Sequence, residues 1–147
     1  MNRIYVDTEF NGFGGELISF ALVPEDSSKQ EIYLILEQEK AYQPWVLANV
    51  IPHLGDAQVV DRERAGRTLA AYLRMFDNPV LVADWPEDLT NMLNLLLLGG
   101  GMMVATPDFS LEYRNFRGFS AARDSKVPHN ALWDARALRD HVINHRI

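Results

Sequence analysis

The chain contains no cysteine, which excludes disulfides and thiolate metal sites and leaves any metal to carboxylates and imidazoles. It also lacks a long hydrophobic run. Its strongest apolar tract, Met92 to Ala105, is broken by Gly99-Gly100-Gly101 and falls short of the roughly 20 residues that a helix needs to span a bilayer. No secretory signal is read, because Met1-Asn2-Arg3 leads straight into an apolar segment, so the cytoplasm is the expected compartment and no membrane partner is expected. Positive charge is scarce: 14 basic against 20 acidic residues give a net charge of −6. That balance argues against a protein gripping nucleic acid through a broad basic surface. It leaves room for an enzyme with a short substrate, because metal ions at an acidic site would neutralise part of the negative charge.

What is present fits one globular domain over residues 1–147, with 48% hydrophobic and 23% charged residues. Residues 3–9, 16–23 and 31–36 read as strands, with the turn Asp26-Ser27-Ser28-Lys29 between the last two, giving an antiparallel meander. In Arg62 to Phe76, Ala65, Leu69, Tyr72, Leu73 and Phe76 recur at helical spacing. Pro79 to Ala83 reads as a short buried strand, Pro86 to Leu98 as a helix with proline in its first turn, and Met102 to Thr106 as a fifth strand. After an irregular stretch, Leu132, Ala135, Leu138 and Val142 line one face of a last helix, Ala131 to Ile143. Three antiparallel strands followed by alternating strand and helix imply an α/β fold: a mixed sheet of about five strands with helices packed on it.

The first chemical signal is Asp7 and Glu9 in the apolar string Ile4-Tyr5-Val6-Asp7-Thr8-Glu9-Phe10. On a strand, residues i and i+2 share a face, so a buried strand here would set two carboxylates side by side. Two adjacent anions are costly to bury without a cation, and hard oxygen ligands suit Mg²⁺ or Mn²⁺. The alternative is an edge strand with a solvated acidic face. The second signal is Pro128-His129-Asn130-Ala131-Leu132-Trp133-Asp134-Ala135. His129 lies just before the last helix and Asp134 five residues on, where both can face one cleft. Each also has an ordinary explanation, His129 as a helix cap and Asp134 as an acid at a helix dipole.

Together these motifs resemble the DEDDh family of 3′-to-5′ exonucleases, which have a ribonuclease H-like fold. In that family D-x-E lies on the first strand, an aspartate opens a middle helix, and H-x-x-x-x-D lies at the last helix. Asp7 with Glu9 matches the first motif, and His129 with Asp134 the last. The middle motif departs from the pattern. The family usually has Asn, a few residues, an aromatic residue and then Asp, whereas this chain has Ala83-Asp84-Trp85-Pro86-Glu87-Asp88-Leu89. Asp88 fits the family's aspartate if the loop is one residue shorter; Asp84, at the strand end, is the alternate.

The resemblance implies helices on both faces of the sheet and a two-metal phosphodiester hydrolysis. Asp7 would bridge two divalent ions, Mg²⁺ or Mn²⁺, Glu9 and Asp134 would complete one site, and Asp88 would bind directly or through water. His129 would be the general base. It implies the 3′ end of single-stranded RNA or DNA as partner, with RNA favoured by likeness to short bacterial and phage exoribonucleases, and a homodimer because family members often pair. Phe10, Phe13 and Trp85 are aromatic residues able to stack on terminal bases, and Asn11 opens the loop Asn11-Gly12-Phe13-Gly14-Gly15, whose backbone could approach a phosphate. Arg114, Arg117 and Arg123 lie in the stretch before His129, where they could meet the substrate backbone. His141 and His145 are one helical turn apart, which reads as favourable charge near a helix end rather than as a metal site. Two other readings stand beside the exonuclease: a ribonuclease H-like endonuclease or phosphodiesterase that uses the acids without His129, and a non-catalytic nucleic-acid-binding domain.

Overall fold

The computed structural model describes residues 2–147. Six strands form one mixed sheet, built outward from β1 (Arg3–Phe10). On one side β1 pairs antiparallel with β2 (Leu17–Pro24), which pairs antiparallel with β3 (Ile32–Leu36), and β4 (Gln58–Val60) closes that edge parallel to β3. On the other side β1 lies parallel to β5 (Val80–Ala83). The remaining elements are the helices α1 (Pro44–Asn49), α2 (Arg62–Leu73), α3 (Pro86–Leu95), α4 (Ala121–Asp124) and α5 (Ala131–His145), a hairpin of β6 (Leu97–Gly99) and β7 (Met102–Met103), and β8 (Ser110–Tyr113). β8 forms the second sheet edge, parallel to β5.

Alternation along the central strands assigns the two layers. Ile4 and Val6 of β1, Phe20 and Leu22 of β2, and Leu81 of β5 pack with Leu69 and Leu73 of α2 and with Leu89 and Met92 of α3. The residues between them, Tyr5, Ala21, Val23 and Val82, pack on the other face with Ala131, Ala135, Leu138 and Val142 of α5. Helices therefore cover both faces, which is why β2 is buried along its whole length. Among the described residues no helix is long and apolar enough to cross a membrane.

Two expectations about the sheet are corrected. It has six strands, because the short β4 adds a parallel edge beyond β3. The strand expected at Met102 to Thr106 does not join it. Gly99, Gly100 and Gly101 all take positive φ, so the tract folds back and Met102–Met103 pairs only with Leu97–Gly99 in a separate hairpin. The place beside β5 is taken by Ser110–Tyr113, within the stretch expected to be irregular. The hairpin also ends α3 at Leu95, three residues before the expected limit, and α2 stops at Leu73 rather than Phe76.

The α2–α3 layer depends on one glycine. A Cβ on Gly66 would lie 2.0 Å from the Leu95 carbonyl oxygen, so only glycine lets the two helices approach this closely. Gly66→Ala should gain about 1 kcal/mol in helix propensity and lose more, about 1–3 kcal/mol, to overpacking. A lower unfolding midpoint in thermal melts is the expected result, and an unchanged or higher one would show that the helices part without cost.

Candidate active site

β1 carries its acids toward the α5 face. Asp7 and Glu9 follow Tyr5 in alternation, and Tyr5 packs against α5. Just past Glu9 the β1–β2 register slips, pairing Glu9 with Ser19 but Phe10 with Leu17. The bulge leaves Ile18 over, and Ile18 packs with Val46 and Val50 at α1. A break in strand pairing thus brings a helix beside the end of β1.

Two further segments deliver acids to the same place. β5 runs out at Ala83, Asp84 follows, and Trp85 precedes α3, whose Pro86 needs no N–H partner in the first turn. Asp88, in that first turn, is buried, and its Oδ1 accepts hydrogen bonds from the Thr8 hydroxyl at 2.7 Å and the Thr8 N–H at 3.2 Å. At α5 the side chain of Asn130 caps the helix by accepting from the Trp133 N–H at 3.1 Å. Asp134, buried in the first turn, accepts the His129 N–H at 3.2 Å through Oδ2.

Five carboxylates therefore converge from three separated segments. One oxygen each of Asp7, Glu9 and Asp134 lie within 4.8 Å of one another, and so do one each of Asp7, Asp84 and Asp88. Asp7 belongs to both groups, and the geometry brings in Asp84 and Asp88 together rather than choosing between them. Asp7 Oδ2, Asp88 Oδ2 and Asp134 Oδ1 are buried without a hydrogen-bond partner. Unmade hydrogen bonds of this kind cost about 1–3 kcal/mol each, more for a charged group.

The electrostatics follow from that crowding. Burial first, and then the charges of Asp88, Glu9, Asp134 and Asp84, raise the Asp7 carboxyl well above the usual carboxylate range. Burial and the neighbouring acids push Glu9 up to about 8. Asp88 is pushed up to about 8 mainly by burial, against the lowering effect of the Thr8 hydrogen bonds. Asp134 rises to about 6 for the same first reason, opposed first by Ser125 and then by the His129 N–H, and burial also raises Asp84. No lysine or arginine forms a salt bridge with any of the five among the described residues. Burial without a cationic partner favours the neutral form of each of these acids, and a cation bound among them would favour the charged form.

Beside the acids lies a cavity of about 610 Å³, lined by Asp7, Glu9, Asp84, Asp88 and His129 together with Phe10, Phe13, Trp45 and Trp85. His129 has a left-handed backbone, φ 67°, a strained state for a residue other than glycine that functional sites often hold. Its ring meets Trp45 edge-on, with centroids 5.2 Å apart. Burial, and then His53, lower its pKa below the ordinary imidazole value, so it is neutral near pH 7.

The expected substrate contacts divide. Phe13 (86% exposed) and Trp85 (47% exposed) present free aromatic surface at the cavity, and Phe10 lines it half-buried. Asn11 is instead buried and committed to bracing: it accepts from the Gln43 N–H at 2.8 Å and donates to the Ala41 carbonyl at 2.9 Å, which fixes the start of α1. Arg114 pairs with Glu112 and Arg123 with Asp124, and neither these nor Arg117 line the cavity. His141 and His145 stack on each other with centroids 4.3 Å apart, about two and three turns along α5 from Asp134. Trp45 is the aromatic wall residue that the sequence did not single out; its one signal is the adjacent Pro44, a helix-starting residue. No protein-family model and no curated protein matches this chain.

Proposed function

We propose that this chain is a metal-dependent 3′-to-5′ exonuclease that hydrolyses single-stranded nucleic acid, with RNA favoured, and acts in the cytoplasm. The observation that carries the reading is the trio of buried, unpartnered oxygens on Asp7, Asp88 and Asp134 beside a cavity that His129 lines. An all-oxygen donor set fits hard divalent ions such as Mg²⁺ or Mn²⁺, with Asp7, Glu9 and Asp134 for one and Asp7, Asp84 and Asp88 for a second. When bound, such ions supply positive charge at the attacking and departing oxygens of an in-line phosphodiester displacement. The 3′-end direction, the lean to RNA and a homodimeric state come from the resemblance to DEDDh exonucleases.

The chain's own groups account for the rest. His129, neutral at working pH, takes the proton of the attacking water, and Trp45 holds its ring in place. Phe13 and Trp85 offer exposed faces on which bases of any identity can stack. His129→Ala should lower kcat by about 10²–10⁴-fold, the usual worth of a general base, and leave Mn²⁺ affinity unchanged in calorimetry. Because the base must be neutral, the wild-type kcat at saturating Mn²⁺ should fall as pH drops below the ordinary imidazole value, and the variant should lose that limb. Full activity in His129→Ala would instead favour a ribonuclease H-like endonuclease or phosphodiesterase that relies on carboxylates alone.

A further inference from the structure

Thr8 sits between the two acids of the D-T-E string, and alternation along β1 turns it to the opposite face, toward α3. It is buried at 4% exposure. Its hydroxyl and its backbone N–H both donate to one oxygen of Asp88, Oδ1, at 2.7 and 3.2 Å. Asn91 lies three residues after Asp88 on α3, a spacing that places both side chains on one helical face. The Asn91 amide donates to the Thr8 hydroxyl oxygen at 3.3 Å. With that donor on its oxygen, the hydroxyl proton is directed to Asp88. Asn91 thus donates to Thr8 and both Thr8 donors end on Asp88 Oδ1, while Oδ2 of the same carboxylate is buried with no partner.

A carboxylate free to rotate would offer either oxygen to a ligand; this one is held with one oxygen engaged and the other left without a partner. We infer that Thr8 and Asn91 are positioning residues that lock the Asp88 carboxylate so that Oδ2 is the atom offered to a divalent cation. The inference rests on the metal-binding reading above and adds two residues to the site, neither of which touches the ion. Groups that orient a metal ligand in this way typically change metal affinity 10–100-fold when removed.

The test is Mn²⁺ binding by calorimetry to wild type, Thr8→Val, Thr8→Ser, Asn91→Ala and Asp7→Asn, with melts in chelator to confirm that each folds. Thr8→Val keeps the branched shape and the backbone donor but removes the hydroxyl, and should weaken Mn²⁺ binding by about tenfold. Thr8→Ser restores the hydroxyl and should restore affinity, and Asn91→Ala should weaken binding less than Thr8→Val. A role confined to packing would move the melts and leave the dissociation constants alone. A folded Thr8→Val that binds Mn²⁺ as wild type does, while Asp7→Asn does not bind, would overturn the positioning role and leave the metal reading standing. Wild type that binds no Mn²⁺ would sink both. If Thr8→Val does not fold, Asn91→Ala decides, and undiminished affinity there overturns the inference.

Discussion

Asp7→Asn is expected to abolish metal-dependent cleavage and, in the absence of metal, to stabilise the protein. The loss of activity follows from position. Asp7 is the one carboxylate common to both acidic groups, so replacing it removes a ligand from each at once. A fall in kcat of at least about 10³-fold, some 4 kcal/mol of barrier, is the expected size. The gain in stability follows from the same crowding. The Asp7 carboxyl is raised by burial and by four neighbouring acids, and its Oδ2 is buried without a partner. An amide of nearly the same shape carries no charge and can donate to Glu9 or Asp88. A rise of about 1–3 kcal/mol in the metal-free protein is expected, read as a higher melting temperature in chelator. If the acids were a solvated patch, the substitution would leave the melting temperature where it was.

The second large effect is a pH dependence of stability opposite to that of most proteins. Carboxylates usually have depressed pKa values when folded, so stability is lost toward acid. Here Glu9 and Asp88 stand at about 8, Asp134 at about 6 and Asp7 well above its usual value, whereas in the unfolded chain all titrate near 4. Between those limits the folded protein holds more protons than the unfolded one, and stability therefore falls as pH rises. The contribution is whole below about pH 4 and is lost progressively up to about pH 8, at about 1.4 kcal/mol per pH unit for each proton so retained. Asp84 is raised as well; His129, lowered on folding, works the other way, but it is one group against these five. Metal-free protein should thus melt at lower temperature at pH 8 than at pH 5.5. Excess Mn²⁺ should reverse the trend, because the ions bind the deprotonated acids of the folded state alone. A melting temperature that is flat with pH in chelator, or unmoved by Mn²⁺ at pH 8, would contradict this.

The parts of the site legible in the sequence are those whose chemistry is concentrated in a few neighbouring residues. Asp7 and Glu9 stand out because two acids two apart in an apolar strand share a face. His129 and Asp134 stand out because they bracket a helix start. Both strings reach one site because β1 and α5 pack together; the hydrophobic periodicity of each gave it a buried face without saying which element that face would meet. What escaped depends on contacts between distant residues. Thr8 orients Asp88 across 80 positions of chain, and nothing local to Thr8 shows it. Trp45 reaches His129 because Asn11 braces the chain at Ala41 and Gln43 and because Ile18, left over by a bulge, packs on α1. A six-residue helix such as α1 is too short to display a helical period. The misplaced fifth strand has a similar cause. Met102 to Thr106 is the more apolar segment, yet three left-handed glycines fold it onto Leu97–Gly99, and the less hydrophobic Ser110–Tyr113 suffices at a sheet edge, where three of its four residues stay exposed.

The most direct test of the proposed activity is the cleavage pattern of 5′-labelled single-stranded RNA, and of DNA of the same sequence, incubated with Mn²⁺ or Mg²⁺ and wild-type or Asp7→Asn protein. The expected result is a metal-dependent ladder that shortens one nucleotide at a time from the 3′ end, faster on RNA and absent with Asp7→Asn. Internal cuts, or polymers left intact by wild type with either metal, would contradict it.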